Sequence, residues 1–246
     1  MRSDPFALLA ELATALDPAG WVLVGGLMVH CHAHLAGITH VRPTDDADIV
    51  VELQTSTYAT HAAALVGLGF TPHESVDAAA PFHRFLRDGE TVDVMVPDRE
   101  SWSPRYLGRE LVKVPGSGSA LKRTIGYELP GGSVIRLPDL ASALSLKGAA
   151  HQVPSVNPSR HLQDAVTLLA CVGPAGFEPA PSKSMRGNIN RLVKCLATTA
   201  EAWSLAAPQN RVRARQCIMT FRPDWQAPAF LGSTTVVARS RPRAHP

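Results

Sequence analysis

Leu and Ala return at helical spacing over residues 6–16, and Asp17-Pro18 stops the run, so the chain is predicted to open on a helix. Trp21-Val22-Leu23-Val24 follows as a short buried strand that runs straight into Gly25-Gly26. Leu27–Leu35 reads as helix and ends near Gly37. The alternation of Asp46-Ala47-Asp48-Ile49-Val50-Val51-Glu52 predicts a second strand over Ala47–Glu52, because strand side chains change face at every residue. Residues 58–68 form a further predicted helix ended by Gly69. Phe82–Leu86 and Thr91–Val96 read as a hairpin turning at Asp88-Gly89. Leu111–Val114, Ser119–Glu128 and Ser133–Arg136 are β-prone, with a turn at Gly131-Gly132.

The pattern changes at Pro138. Helices are predicted over Pro138–Ala150, Ser159–Cys171, Lys183–Ala206 and Pro208–Phe221, with a Pro/Gly-rich connector at 173–181. The expected fold class is α+β (α/β): a mixed β-sheet domain flanked by helices over residues 1–136, then a helical domain over 137–231. The last stretch, 232–246, is rich in Ser, Arg and Pro with little to bury, and is expected to be a disordered basic tail.

With 246 residues, 45% hydrophobic and 18% charged, the chain can bury a core. Its longest apolar stretch, Trp21–Val29, contains two glycines and falls short of the roughly 20 residues a membrane helix needs. Asp4 and Glu11 near the start argue against a secretory signal. Cys31, Cys171, Cys195 and Cys217 lie far apart with no C-x-x-C spacing, so a reducing cytoplasm is the expected location. Charge is divided unevenly. Residues 173–246 hold 11 basic and 3 acidic residues, a net of +8, whereas residues 1–172 hold 13 and 18, a net of −5. An acidic front and a basic back would let one part hold a cation and the other a polyanion.

The segment that carries chemistry is Gly25-Gly26 followed by Arg42-Pro43-Thr44-Asp45-Asp46-Ala47-Asp48. Asp46 and Asp48 are two apart on a strand, so both carboxylates point to one face. Like charges at that distance repel, and a divalent cation relieves the cost. Mg²⁺ takes hard oxygen ligands, commonly one or two carboxylates plus substrate phosphates. Asp93 alternates with Val92 and Val94 on a strand that could lie beside the first, and would complete a metal site for in-line attack at phosphorus. Glycines between a strand and a helix let the backbone approach a triphosphate, and the helix N-terminus offers free N–H groups.

Gly25-Gly26, then Arg42-x-Thr44-x-Asp46-x-Asp48, then Asp93 resembles the DNA polymerase β-type nucleotidyltransferase superfamily. Within it, the double glycine and the Arg-x-Thr/Ser-x-Asp-x-Asp form are similar to the AbiEii/MenT group of bacterial nucleotidyltransferase toxins. The resemblance covers residues 21–96 well and continues faintly to Lys147, Arg160 and Asp164, which match a lysine and an Arg-x-x-x-Asp-like helix. It implies Mg²⁺-dependent transfer of a nucleoside monophosphate from an NTP, with the tRNA 3′ end as acceptor in MenT-like members and a possible antitoxin partner. Asp46, Asp48 and Asp93 would then hold the metal, and Asp93 would also take the proton of the attacking hydroxyl. Lys147 and Arg160 would neutralise phosphate charge, and Gly25, Gly26, Arg42, Thr44 and Asp164 would serve nucleotide binding. The superfamily's commoner Gly-Ser is Gly-Gly here, so a hydroxyl contact to phosphate is missing. Asp45 adds an acid beside the pair.

Other readings stay open on the sequence alone. The acceptor could be a small molecule or a protein hydroxyl, and the fold could bind nucleotide without turnover. Arg160 and Asp164, four apart on a helix, could simply pair with each other. His30, Cys31, His32 and His34 invite a transition-metal reading but lack the H-E-x-x-H pattern, and ordinary helix histidines are the simpler account. His83 and Arg84 lie in the hairpin before Asp93 and could fall near the site. Trp203, Trp225 and Phe221 could stack on bases or sit in a core, and Arg239, Arg241 and Arg243 could touch RNA phosphates.

Overall fold

The structure, a computed structural model, describes residues 5–99, 104–154 and 157–231. Helix α1 (Pro5–Ala15) buries Leu8, Leu9 and Leu12, and the Asp17 carboxylate caps the turn that leads into β1 (Trp21–Val24). Helix α2 (Gly25–Leu35) starts on the very next residue, two positions before the predicted Leu27. Strand β2 (Asp46–Val51) follows, then α3 (Tyr58–Gly67), whose first turn is capped by Thr57 Oγ1 accepting from the Thr60 amide at 3.2 Å. A short strand missed by the alternation, β3 (Thr71–His73), precedes the hairpin β4 (Arg84–Arg87) and β5 (Glu90–Pro97). Asp88 and Gly89 both have positive φ, 45° and 86°, as a two-residue turn between strands demands.

Beyond the hairpin come β6 (Arg105–Tyr106), β7 (Arg109–Glu110), β8 (Lys113–Val114) and a single turn of helix, α4 (Ser117–Ala120). That turn takes the front of the β-prone 119–128 segment, leaving β9 (Thr124–Glu128) to pair with β10 (Val134–Pro138). The rest is helical: α5 (Leu140–Ala150), α6 (Ser159–Val172), α7 (Lys183–Leu196) and α8 (Pro208–Phe221). Helix α7 is shorter than the predicted Lys183–Ala206. The chain breaks after Leu196 and makes a separate short turn over Ala200–Trp203, where the Trp203 indole donates to the Leu196 carbonyl at 3.1 Å. The tail expected at 232–246 lies outside the described residues.

The main sheet is mixed, in the order β1-β2-β5-β4-β3, with β8 also pairing β5. Strand β2 is antiparallel to β1 and parallel to β5, so it is hydrogen-bonded on both edges. Its two faces are buried differently. Ala47, Ile49 and Val51 enter the main core, which also takes in Leu27 of α2, Leu169 of α6 and Ile218 of α8. Val50 faces the other way, into a smaller cluster with Val22, Val24, Ala120, Leu121 and Leu146. Helices α4 and α5 therefore cover only the Val50 end of that second face, and Asp46 and Asp48 occupy the remainder. Among the described residues no helix is long and apolar enough to cross a membrane.

Helix α5 is braced from behind by α7. The Asn188 amide donates to Ser145 Oγ at 3.1 Å, and a Cβ added to Gly148 would meet the Asn188 carbonyl oxygen at 2.5 Å and its carbon at 2.8 Å. Ala normally beats Gly inside a helix by about 0.5–1 kcal/mol, but here the obstacle is backbone and cannot swing away. Gly148→Ala is therefore expected to destabilise the protein by about 1–3 kcal/mol in urea unfolding; a neutral or stabilising result would show that α5 and α7 are not in this close contact.

Candidate active site

Asp46 and Asp48 stand two residues apart on β2, and the parallel register sets Asp48 opposite Asp93 of β5. Residues paired across a ladder share a face, so all three carboxylates lie on the side of the sheet that α5 leaves open. Neither Asp46 nor Asp48 makes a hydrogen bond or ion pair among the described residues. Burial first, and then repulsion from Asp93, pushes the Asp48 carboxyl up to about 6. The Asp46 carboxyl is raised for the same two reasons, with the Arg84 and Arg160 charges opposing. Two strained, partner-free carboxylates made of hard oxygens are the donor set a divalent cation such as Mg²⁺ fits.

Asp93 is in a different state. Arg84, its cross-strand partner, grips it with both arms of the guanidinium: Nε to Oδ1 and Nη2 to Oδ2, each at 2.8 Å. His83 Nε2 lies 3.8 Å from the same carboxylate. Both Asp93 oxygens already accept, so the three acids expected to grip one metal together do not form an open triad here. Among the described residues no cluster of three His, Cys, Asp or Glu groups stands ready for a metal ion. Arg84 offsets part of the charge that sets Asp93 against Asp46 and Asp48, and the repulsion left over still raises both.

The glycine pair is shaped by these side chains. Gly25 adopts φ +67°, a conformation side chains rarely take, and a Cβ there would overlap the Asp48 carboxylate. A Cβ on Gly26 would meet Thr44 Oγ1 at 2.6 Å. Both glycines are therefore required by the chain's own Asp48 and Thr44 pressing against the start of α2. The sequence alone attributes them to phosphate approach.

Across the site lies a buried clamp. Asp164, only 2% exposed, accepts from Lys147 Nζ at 2.7 Å and from Arg42 through Nε at 3.1 Å and Nη2 at 3.3 Å. Asp164 is expected from the sequence among the nucleotide contacts or as a partner of Arg160. It is instead sealed between Arg42 and Lys147, tying α6 to α5 and to the loop before β2. The two neighbouring cations outweigh burial and hold its carboxyl below the usual carboxylate range. Arg160 is exposed and makes no ion pair among the described residues, while its charge favours ionised Asp46 and Asp48. Next to it, His161 is 7% exposed with an unpartnered Nδ1; burial and the Lys147 and Arg160 charges push it down to about 4, so it is neutral.

The remaining candidates take structural places. His30 bonds the Arg42 carbonyl at 2.8 Å, His32 the Pro138 carbonyl at 2.9 Å, and His34 the Tyr127 hydroxyl at 2.7 Å, three separate elements. His30 thus holds the backbone of the residue whose side chain joins the clamp. Trp203 is buried, Trp225 packs against the core, and Phe221 sits edge-on to Phe177 at 5.4 Å. Arg239, Arg241 and Arg243 lie outside the described residues. Two cavities, of about 360 and 520 Å³, share Gly176 and Phe177 and are lined by none of Asp46, Asp48, Asp93 or Lys147.

Two outcomes follow from these charges. A carboxyl whose folded value is raised binds its proton more tightly when folded, so its contribution to stability falls as pH rises from about 4 to about 6. Asp48→Asn is expected to stabilise the metal-free protein at pH 8 by about 1–2 kcal/mol, allowing for partial solvent screening, and by almost nothing at pH 4. Equal melting curves for variant and wild type at pH 8 would refute the strain. For the clamp, Asp164→Ala leaves Lys147 and Arg42 unneutralised and should cost about 3–5 kcal/mol in denaturant unfolding. Lys147→Met, which leaves Arg42 on Asp164, should cost clearly less, and the reverse order would contradict the arrangement.

No protein-family model matches the chain, and no curated protein matches it. Among solved structures it is similar to an antigenic nucleotidyltransferase-like protein from Paracoccidioides brasiliensis, with a TM-score of 0.45 and 14% identity. That alignment covers 83% of this chain and 94% of the other, a likeness too low to carry residues or chemistry from one to the other.

Proposed function

We propose that the protein is a divalent-cation-dependent nucleotidyltransferase that moves a nucleoside monophosphate from an NTP to an acceptor hydroxyl and releases pyrophosphate. The observation that carries this reading is the pair of carboxylates, Asp46 and Asp48, without a hydrogen-bond or ion-pair partner among the described residues, on the open face of a central strand beside the glycine start of α2. Mg²⁺, when bound there, supplies charge neutralisation and orientation of the triphosphate. Lys147 and Arg160 lie close enough for their charges to favour both the Asp48 carboxylate and, by the same field, developing negative charge on phosphate. Asp164 acts by positioning, since it is buried and holds Arg42 and Lys147 in place. Asp93, once free of Arg84, would take the proton of the attacking hydroxyl.

RNA is the acceptor we favour. Helix α7 exposes Lys183, Arg186, Arg191 and Lys194, contains no acidic residue, and pairs none of these cations with a carboxylate among the described residues. The net +8 of residues 173–246 agrees with a polyanion on this side. The narrower reading, a toxin-type enzyme acting on the tRNA 3′ end in the cytoplasm and held in check by an antitoxin, rests on the sequence resemblance to the AbiEii/MenT group.

Purified protein incubated with Mg²⁺, labelled NTPs and total RNA is expected to label an RNA band. The double variant Asp46→Asn/Asp48→Asn should lower labelling by about a hundredfold or more. Labelling that persists in the double variant overturns the site. Nucleotide binding without a labelled acceptor among RNA, protein or small molecules makes the protein a binding module instead.

A further inference from the structure

Arg84 and Arg87 lie on the same strand and both pair with acids, but they are held very differently. Arg87 donates to both Glu11 oxygens, to Glu90 and to the Leu68 carbonyl, and its guanidinium lies 4.3 Å from the Phe70 ring centroid. Its side chain is 19% exposed. That is a structural arginine locked by several partners. Arg84 is 39% exposed, and its hydrogen bonds among the described residues go to Asp93 alone. Its partner faces Asp48 across the parallel ladder, on the face that carries Asp46. Of the other cations nearby, Lys147 and Arg42 are committed to Asp164, while Arg160 makes no ion pair among the described residues.

We propose that Arg84 is an exchangeable counter-cation, which occupies Asp93 in the resting protein, gives it up when a divalent cation enters, and then binds the triphosphate. This rests on the nucleotidyltransferase reading above. A bidentate guanidinium engages both oxygens of Asp93, so a cation seeking an oxygen from the same carboxylate must displace at least one arm. A dication at Asp46 and Asp48 also repels the guanidinium, whose side-chain hydrogen bonds among the described residues all go to the contested carboxylate. Once released at the rim of the sheet, a planar fork of donors is matched to phosphate oxygens, the anion that arrives with the metal. Exchange lets one residue offset the acids when the site is empty and the nucleotide when it is filled.

The test measures metal and nucleotide separately, without turnover. Mn²⁺ binding to the nucleotide-free protein is followed by the electron paramagnetic resonance of free Mn²⁺, and binding of a non-hydrolysable Mg·NTP analogue by calorimetry. Arg84→Met is expected to tighten Mn²⁺ by about tenfold and to weaken the analogue by about tenfold, opposite signs from one substitution. Arg84→Lys keeps the charge without the fork and should move both affinities the same way by less; it carries the test if Arg84→Met does not fold. Unchanged or weaker Mn²⁺ binding overturns the exchange and leaves Arg84 a support for Asp93. Tightened Mn²⁺ with unchanged analogue binding overturns the phosphate role. If the wild type binds Mn²⁺ no better than Asp46→Asn/Asp48→Asn, the parent metal reading itself fails.

Discussion

Everything at the candidate site depends on the pairing of β2 on both edges, to β1 and β5, while its two faces go to different surroundings. A strand flanked on both sides cannot slip by one residue without sending Ala47, Ile49 and Val51 out of the main core. That burial is what forces Asp46 and Asp48 together onto the other face, where only Val50 has a hydrophobic cluster to join. The acids are thus held side by side by the apolar residues between them. Their own interaction is repulsive, and the hydrophobic register outweighs it.

The cost is visible in the neighbours. Asp48 is raised to about 6, first by burial and then by Asp93. Gly25 is pressed so closely by the same carboxylate that no side chain fits. The chain has answered this crowding in two ways. Asp93 is held by a bidentate Arg84, and a second acid–base group is kept apart, with Asp164 buried between Lys147 and Arg42. The clamp does for its cations what Arg84 does for Asp93: it lets charged groups persist where water is scarce. Proteins generally place such unrelieved charge where a ligand is to be bound, and this is the physical reason to read the face as a site.

Part of this arrangement can be read before any fold is known, and Arg84 marks the edge of that part. Asp88-Gly89 signals a two-residue turn, and counting outward pairs Arg87 with Glu90 and Arg84 with Asp93, as the ladder has them. The proximity of Arg84 to the site is thus foreseeable; that it would occupy both Asp93 oxygens is not. For Asp164, the i,i+4 spacing points to Arg160, yet the partners are Lys147 and Arg42, the latter 122 residues away in the chain. Helical spacing says which residues could meet along one helix but is blind to a stronger partner from another. Of the aromatic residues that could stack or sit in a core, Trp203 is core: it sits where α7 ends early, and its indole donates to the Leu196 carbonyl.

The sequence by itself determined the strands that carry the acids, the face that Asp46 and Asp48 share, the hairpin turn and the helical character of the chain after Pro138, because alternation and turn chemistry are local. Tertiary structure alone decided which charges neutralise which, why Gly25 and Gly26 must lack side chains, and how far α5 covers the acidic face. Those outcomes turn on distances of a few ångströms between segments tens of residues apart, set when the two cores close on either side of β2.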